Sequence, residues 1–272
     1  MARALPLLLA VGLALVLATL ADASGKNLDG REAPSLVFYD GLNGLEGGGR
    51  LQDFRGQVVW VKFVLRDCAL CRKSLPRFQE LHERWGGSGL ASLAVMHRIP
   101  AKDLKAFFAD HGYTFPVGID SDGKQARRYG VGRRPTDYLI GADGRVRASN
   151  GAPEKTLRVE LAKRRVARLG EIPQGAQAAK DLVWNWNYGE ALRTIEPQAG
   201  AEGASDALRA FAKVLQREAR IELDARLAAV SRLVKARRVK EARSMAQRVA
   251  KHFEETSLQA RAKKAMERLE AR

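Results

Sequence analysis

The sequence predicts two domains of different class, an α/β domain up to about residue 170 and an all-helical domain after it. In the first part, short β-rich apolar runs alternate with stretches of helical spacing, which is typical of a sheet covered by helices. From about Gln174 onwards Ala, Leu, Arg and Glu dominate, and neither Gly nor Pro occurs after Gly203. The length of 272 residues agrees with this division, because chains of that size usually form about two domains.

The first 23 residues have the features of an export signal. Arg3 is followed by a run without charge from Ala4 to Ala21, and Ala21-Asp22-Ala23 has the small-x-small pattern that signal peptidases cut. The run is also close to the lower length limit of a membrane span, so an uncleaved anchor is the alternative. Whether this segment is a cleaved signal or an uncleaved anchor, we expect the rest of the chain to lie outside the cytoplasm, in the periplasm or secreted.

Strands and helices alternate along the α/β domain. The predicted strands are 57–65, 90–96, 115–119 and 138–140, and a hairpin turn at 142–144 leads into Arg145-Val146. Helical spacing marks 70–85, 102–111 and 125–129. The strand 57–65 is a continuous apolar run interrupted only by Lys62, which indicates a strand buried on both faces.

The helical domain should begin at residue 171, and the stretch 170–175, which includes Pro173, is the predicted joint. NYGEALRTI is weakly repeated as RVKEARSMA, with Glu190-Ala191 matching Glu241-Ala242. The pattern is similar to a tetratricopeptide hairpin, but its offset of 51 residues differs from that repeat's period of about 34. An irregular array of helical hairpins and an ordinary helical bundle are both open. We expect this domain to hold a protein partner, to position substrates or to mediate self-association.

The net charge of +16 raises the question of an anionic partner. Nucleic acid is not expected, because an exported protein seldom meets it and no stacking-aromatic module interleaves the basic residues. A solvated basic surface is the simplest interpretation. Peripheral attraction to an anionic membrane surface is the alternative.

The chain contains two cysteines, Cys68 and Cys71, which directly follow the predicted buried strand and open a helix. A helix N-terminus carries unpaired N–H groups and partial positive charge, which favour a thiolate. Two intervening residues let the sulfurs form a short reversible disulfide. Cys68 would be the nucleophile and Cys71 the resolving residue. A metal site is not expected, because tetrahedral zinc needs about four ligands and no histidine has suitable spacing.

Pro135 precedes the last predicted strand and hairpin, within Arg133-Arg134-Pro135-Thr136. A proline at this place is suited to a cis bond, which would bring the backbone of Arg134 alongside the cysteines. The runs GREAPSLVFYD, LQDFRGQVVWVKFVLRDCALCRKSLPRFQEL and RRPTDYLIGADGRV together resemble the thioredoxin fold in its exported TlpA/ResA-like, redoxin-type form, over residues 30–168.

This resemblance implies a thioredoxin-like redox domain over 24–170 that acts as a thiol-disulfide oxidoreductase on protein thiols or disulfides. It implies that Cys68 and Cys71 are the redox pair and that Pro135 binds substrate backbone. No dissociable cofactor is expected, since electrons pass through the two sulfurs.

The sequence departs from the family pattern at several positions. Asp67 replaces the usual tryptophan before the first cysteine, and Ala69-Leu70 replaces the usual proline-containing pair. Lys62 stands where thioredoxins carry a buried acid. If it points beneath the cysteines, its charge would lower the thiolate pKa. Alternatively, its long stem extends to the edge of the sheet.

Two other functions compete with disulfide exchange. A peroxiredoxin-type peroxidase is not expected, because Leu65 and Val61 occupy the positions of its supporting threonine and proline. A redoxin-shaped binding or scaffold protein remains the alternative. In that case the cysteine pair is only a local crosslink and the helical domain holds partners, although so short a loop would add little stability.

Overall fold

The structure, a computed structural model, describes residues 25–97, 99–235 and 237–270. The predicted export signal at 1–23 lies outside the described residues. The described residues divide into two compact units. The first unit contains residues 25–82 together with those described within Ala91–Leu157. The second unit contains Glu83–Leu90 together with those described within 158–270. This division falls earlier in the chain than the predicted joint at 170–175, and the domain limits stay a prediction.

The first unit is built on a mixed six-stranded sheet. The six strands of this sheet are β2 (Gly41–Leu42), β4 (Val58–Val64), β5 (Leu90–His97), β6 (Val117–Asp120), β7 (Thr136–Ile140) and β8 (Val146–Ser149). Two further strands, β1 (Val37–Phe38) and β3 (Gly49–Arg50), form a separate antiparallel pair. The strand order is β2-β6-β5-β4-β7-β8. Strands β5 and β6 are parallel, whereas β2 is antiparallel to β6, and β7 is antiparallel to both β4 and β8.

The helices that follow these strands are α1 (Ala69–Trp85), α2 (Ala101–His111), α3 (Lys124–Arg128) and α4 (Glu154–Ala167). Each predicted strand and helix of this part is present, with ends displaced by a few residues. The short strands β1 to β3 were not predicted, because two residues are too few to show an alternating pattern.

Strand β4 lies at the centre of the core, and all seven of its residues are buried. On one face Val59, Val61 and Phe63 join a cluster with residues of β5 and β7. On the other face the Trp60 ring meets the ring of Phe78 from α1 at a centroid distance of 5.6 Å. The prediction of a strand buried on both faces is therefore confirmed.

The second unit contains five helices in its described C-terminal part, which confirms the predicted all-helical class. They are α5 (Gln177–Trp184), α6 (Tyr188–Gly200), α7 (Asp206–Lys235), α8 (Val239–His252) and α9 (Gln259–Glu270). The two similar stretches begin α6 and α8, and Ala191 and Ala242 are both fully buried. Whether this similarity reflects a repeat stays a prediction. In the part of the chain that the structure describes, no helix has the length and apolar character needed to cross a membrane.

Candidate active site

The chain leaves β4 and turns directly into the helix that carries the cysteines. The Cys68 N–H donates to the carbonyl oxygen of Leu65 at 3.4 Å, and the Arg72 N–H donates to the carbonyl oxygen of Cys68 at 3.0 Å. Cys68 therefore stands immediately before α1, and Cys71 lies in its first turn. One backbone N–H group of this turn points toward the Cys68 sulfur, since the Cys71 nitrogen lies 3.1 Å from Cys68 Sγ.

Cys68 and Cys71 are joined by a disulfide, with their Cα atoms 5.2 Å apart. The two sulfurs differ in access, because Cys71 is fully buried and Cys68 is partly exposed. Leu70, between them, leaves 65% of its surface exposed. A molecule that approaches this end of α1 therefore meets Cys68 and an apolar leucine side chain, with Cys71 covered behind them.

The loop that contains Pro135 lies against Cys68. The Arg134–Pro135 peptide bond is cis, and the carbonyl oxygen of Arg134 lies 3.6 Å from Cys68 Sγ. Thr136 holds the loop by donating its hydroxyl to the carbonyl oxygen of Arg133 at 2.6 Å. The structure thus brings together the three residues singled out from the sequence, Cys68, Cys71 and Pro135.

Lys62 is buried, with 4% of its surface exposed, so its stem does not extend to the solvent at the sheet edge. Its Nζ lies 2.7 Å from Oδ1 of Asp137, its direct partner across β4 and β7. The same Oδ1 accepts a hydrogen bond from Trp60 Nε1 at 2.7 Å. Lys62 Nζ also lies 5.5 Å from the centre of the Phe78 ring of α1, which places it between the sheet and the cysteine helix.

Asp137 is the residue of this region that the sequence reasoning missed. It lies two positions after Pro135. An acidic residue on the strand next to the buried Lys62 could have been recognised as the partner of that lysine. This recognition requires the register of β7 on β4, in which Lys62 pairs with Asp137 and Phe63 with Thr136. The sequence alone does not fix this register.

The opposite charges before Cys68 neutralise each other. Arg66 donates to both carboxylate oxygens of Asp67, at 2.9 and 3.3 Å. This bond, with a smaller contribution from Arg72, lowers the pKa of Asp67 below its usual value. Oδ2 of Asp103 also lies 3.7 Å from a guanidinium nitrogen of Arg66.

In the described part of the chain, no metal site accompanies the cysteines. No three His, Cys, Asp or Glu side chains among these described residues are grouped so that they could hold a metal ion.

Comparison with known proteins agrees with this geometry. Residues 30–149 match the AhpC/TSA family. The thiol-disulfide oxidoreductase ResA of Bacillus thuringiensis is 35% identical over 138 residues, which are 50% of this chain and 77% of that relative. The chain belongs to the ResA family of thiol-disulfide oxidoreductases. The ResA of Geobacillus thermodenitrificans is 36% identical over 118 residues, which are 43% of this chain and 66% of that relative.

Among solved structures, one assigned as a thiol:disulfide interchange protein DsbE of Chlorobium tepidum is 28% identical, with a TM-score of 0.42. The alignment covers 51% of this chain and 96% of that protein. Membership in the ResA family confirms the thioredoxin-like class of the first unit and makes the chain a thiol-disulfide oxidoreductase. The family match ends at residue 149, so the helices α5 to α9 lie beyond it.

Proposed function

We propose that the protein exchanges disulfides with protein partners outside the cytoplasm, with Cys68 as the nucleophile and Cys71 as the resolving cysteine. The observation that carries this proposal is the difference in access between the two sulfurs: Cys68 is partly exposed where α1 begins, and Cys71 is fully buried behind it. A partner sulfur can reach the first and not the second.

The exchange proceeds in two balanced steps. In the reduced protein, the Cys68 thiolate attacks one sulfur of a partner's disulfide, and the partner's other sulfur leaves as a thiolate. The Cys71 thiolate then attacks Cys68 Sγ, which forms the Cys68–Cys71 disulfide and releases the partner's first sulfur as a thiolate. Two electrons pass to the partner, and solvent protonates the thiolates that are released. The same steps in reverse oxidise a partner dithiol.

Two features support the assigned roles. The Cys71 N–H lies 3.1 Å from Cys68 Sγ, and such a donor at a helix N-terminus favours the thiolate over the thiol. The role of Pro135 in binding substrate backbone is supported by the position of its loop, since the carbonyl oxygen of Arg134 lies 3.6 Å from Cys68 Sγ. An extended substrate segment whose cysteine bonds to Cys68 passes within hydrogen-bond reach of this backbone edge, and Pro135 offers no competing N–H there.

Trapping tests the proposal. In Cys71→Ser the mixed disulfide on Cys68 is not resolved, so adducts with exported proteins should accumulate and be identifiable by mass spectrometry. The matched variant Cys68→Ser keeps the buried Cys71 and should form none. Absence of adducts in Cys71→Ser, together with a Cys68 that resists alkylation in the reduced protein, would instead favour the scaffold interpretation.

The location and the further contacts belong to the same proposal. The support for a position outside the cytoplasm is the predicted export signal at 1–23. We infer that the helical unit holds a protein partner. Its support is the set of amphipathic helices beyond the family match, with Trp184 and Val239 exposed. Peripheral attraction to anionic membranes rests on the charge of +16 and is tested by binding to anionic vesicles at low salt.

A further inference from the structure

The surface around Cys68 carries an excess of positive charge that disulfide exchange by itself does not require. Four cationic residues lie on the two segments that adjoin the cysteine, Arg72 and Lys73 on α1 and Arg133 and Arg134 in the loop before β7. We call these four residues the basic rim. Arg72 lies one helical turn after Cys68, and the Arg134 carbonyl lies 3.6 Å from its sulfur, so both segments adjoin the reactive atom.

What distinguishes the basic rim is its position beside the reactive sulfur. On the rest of the first unit, as far as the structure describes it, some exposed cations are paired with carboxylates, as in Arg55–Glu32 and Lys124–Asp122, and others, such as Lys102, are not. Among the described residues, no ion pair involves any of the four rim residues. Of the nearby carboxylates, Asp67 and Asp103 both contact Arg66, and Asp67 also interacts electrostatically with Arg72 of the rim. Asp120, which acts on Arg134 electrostatically, accepts hydrogen bonds from the N–H groups of Gln125 and Ala126.

We propose that the protein partners of Cys68 present acidic residues beside the cysteine that reacts. Unpaired cations around a reactive sulfur attract an acidic segment during encounter and disfavour a basic one. Leu70, which is exposed and lies between the two cysteines in the sequence, adds an apolar contact. The inference rests on the disulfide exchange proposed above and adds the class of substrate. A protein segment is favoured over a membrane surface because the charges surround the reactive sulfur itself.

The test uses the reduced full-length protein and three peptides, each containing one intramolecular disulfide flanked by Glu, Gln or Lys. Flanking charges also alter the peptide's own sulfurs, so each rate is divided by the rate of the same peptide with dithiothreitol, an uncharged dithiol. We expect the normalised rate for the Glu peptide to exceed that for the Lys peptide by at least about tenfold at 10 mM salt. The ratio should approach one at 1 M salt, where charges are screened beyond about 3 Å.

Variants locate the effect. Arg72→Glu with Arg133→Glu should reverse the peptide preference, and its rate with hydroxyethyl disulfide, a small uncharged substrate, reports any change in Cys68 itself. Arg31→Glu with Arg145→Glu is the matched control. It makes the same change in net charge at exposed positions near the Ile140 end of β7, away from Pro135, and should keep the acidic preference.

Four outcomes would overturn the inference, and the last of them would overturn the proposed exchange as well. Equal normalised rates for the Glu and Lys peptides would show that the rim does not select partners. An equal loss of preference in the control variant would assign the effect to net charge. Unchanged peptide rates in the rim variant, with loss of binding to phosphatidylserine vesicles, would make the rim a membrane contact. If neither the peptides nor hydroxyethyl disulfide reacts at all, the proposed exchange fails and this inference fails with it.

Discussion

Lys62 and Asp137 bury two opposite charges between β4 and β7, close to both segments that form the site. Lys62 lies near the end of β4 that leads to Cys68, and Asp137 follows two positions after Pro135. Their 2.7 Å contact, and the Trp60 hydrogen bond to the same carboxylate, satisfy groups that would otherwise be costly to bury. The pair therefore fixes β4 against β7 at the level of the redox site.

Removing one partner of this pair should be destabilising. We expect Lys62→Met to lower the free energy of unfolding by about 1–3 kcal/mol, because it leaves the partly buried Asp137 carboxylate without its cation. Lys62→Met combined with Asp137→Asn should recover most of this loss, since the amide oxygen still accepts from Trp60 and no charge remains. Urea unfolding of the oxidised proteins measures both. A double variant as unstable as the single one would contradict this account.

The same pair bears on the reactivity of Cys68. In the folded protein the Lys62 charge is compensated by Asp137, so Lys62→Met leaves a net negative charge behind α1. The pKa of the Cys68 thiol should then rise relative to the wild type and fall back in the variant that also carries Asp137→Asn. Titration of thiolate absorbance in the reduced proteins reports this. Identical titration curves for all three would end the hypothesis that Lys62 tunes the cysteine.

Single residues also show what the sequence could and could not reveal about the site. Cys68, Cys71 and Pro135 were found from local patterns, a C-x-x-C motif after an apolar strand and a proline before another. Asp137 and the position of the basic rim beside Cys68 were not found. Both depend on which side chains meet across strands and loops, and a linear pattern does not encode such contacts without the register of the sheet.

The packing of α6 on α8 depends on a glycine at the start of α6. A Cβ at Gly189 would overlap the carbonyl oxygen of His252 at the end of α8. The backbones can approach this closely only without a side chain. The contact is completed by the Gly189 N–H, which donates to Nε2 of the His252 ring at 3.2 Å.

Two glycines of the same helix provide a matched test of this contact. Gly189→Ala should lower the free energy of unfolding of the helical unit by about 1–3 kcal/mol, because a fixed backbone must move to make room. Gly200→Ala, at the other end of α6, meets nothing within 4 Å and should be neutral or stabilising by up to about 1 kcal/mol. Thermal unfolding followed by circular dichroism distinguishes them, and equal effects would contradict a close contact at Gly189.

Among the secondary-structure elements, long patterned runs were predictable and short or continuous ones were less so. Strand β4 and helix α1 follow from an apolar run and from helical spacing. The limits of the helices after Gln174 were harder to predict, because Ala-, Leu- and Arg-rich sequence favours helix almost everywhere. Helix α4 was included in the first domain without being predicted as a helix. The structural division falls inside it, which no local signal marks.

Across the whole molecule, the structure joins a redox unit that belongs to a known family to a helical unit that lies beyond the family match. The helical unit buries several charged side chains, and three of them, Glu218, Glu222 and Arg165, lie close to the Tyr188 hydroxyl. Burial of these groups requires that each find a partner. Glu218 contacts Arg168, and Glu222 contacts Arg226 and Ser88. Where a buried group of this unit changes its protonation, the stability of the unit should depend on pH.

His252 makes this dependence testable. Burial, and then the charges of Arg226 and Arg193, lower its pKa to about 4 in the folded protein. The unfolded chain, with an ordinary histidine pKa of about 6.5, takes up a proton more readily. The contribution of His252 to stability is therefore complete above about pH 6.5 and is lost progressively as the pH falls toward 4. Protonation also removes the lone pair that accepts the Gly189 N–H.

We expect the urea midpoint of the helical unit to fall between pH 7 and pH 5 in the wild type. His252→Gln should reduce this fall, because the amide oxygen can still accept the Gly189 N–H and does not titrate in this range. His111→Gln, at an exposed histidine of α2, should leave the fall unchanged, because this residue belongs to the first unit and not to the helical one. Equal slopes in the wild type and His252→Gln would mean that His252 does not set the pH dependence of this unit.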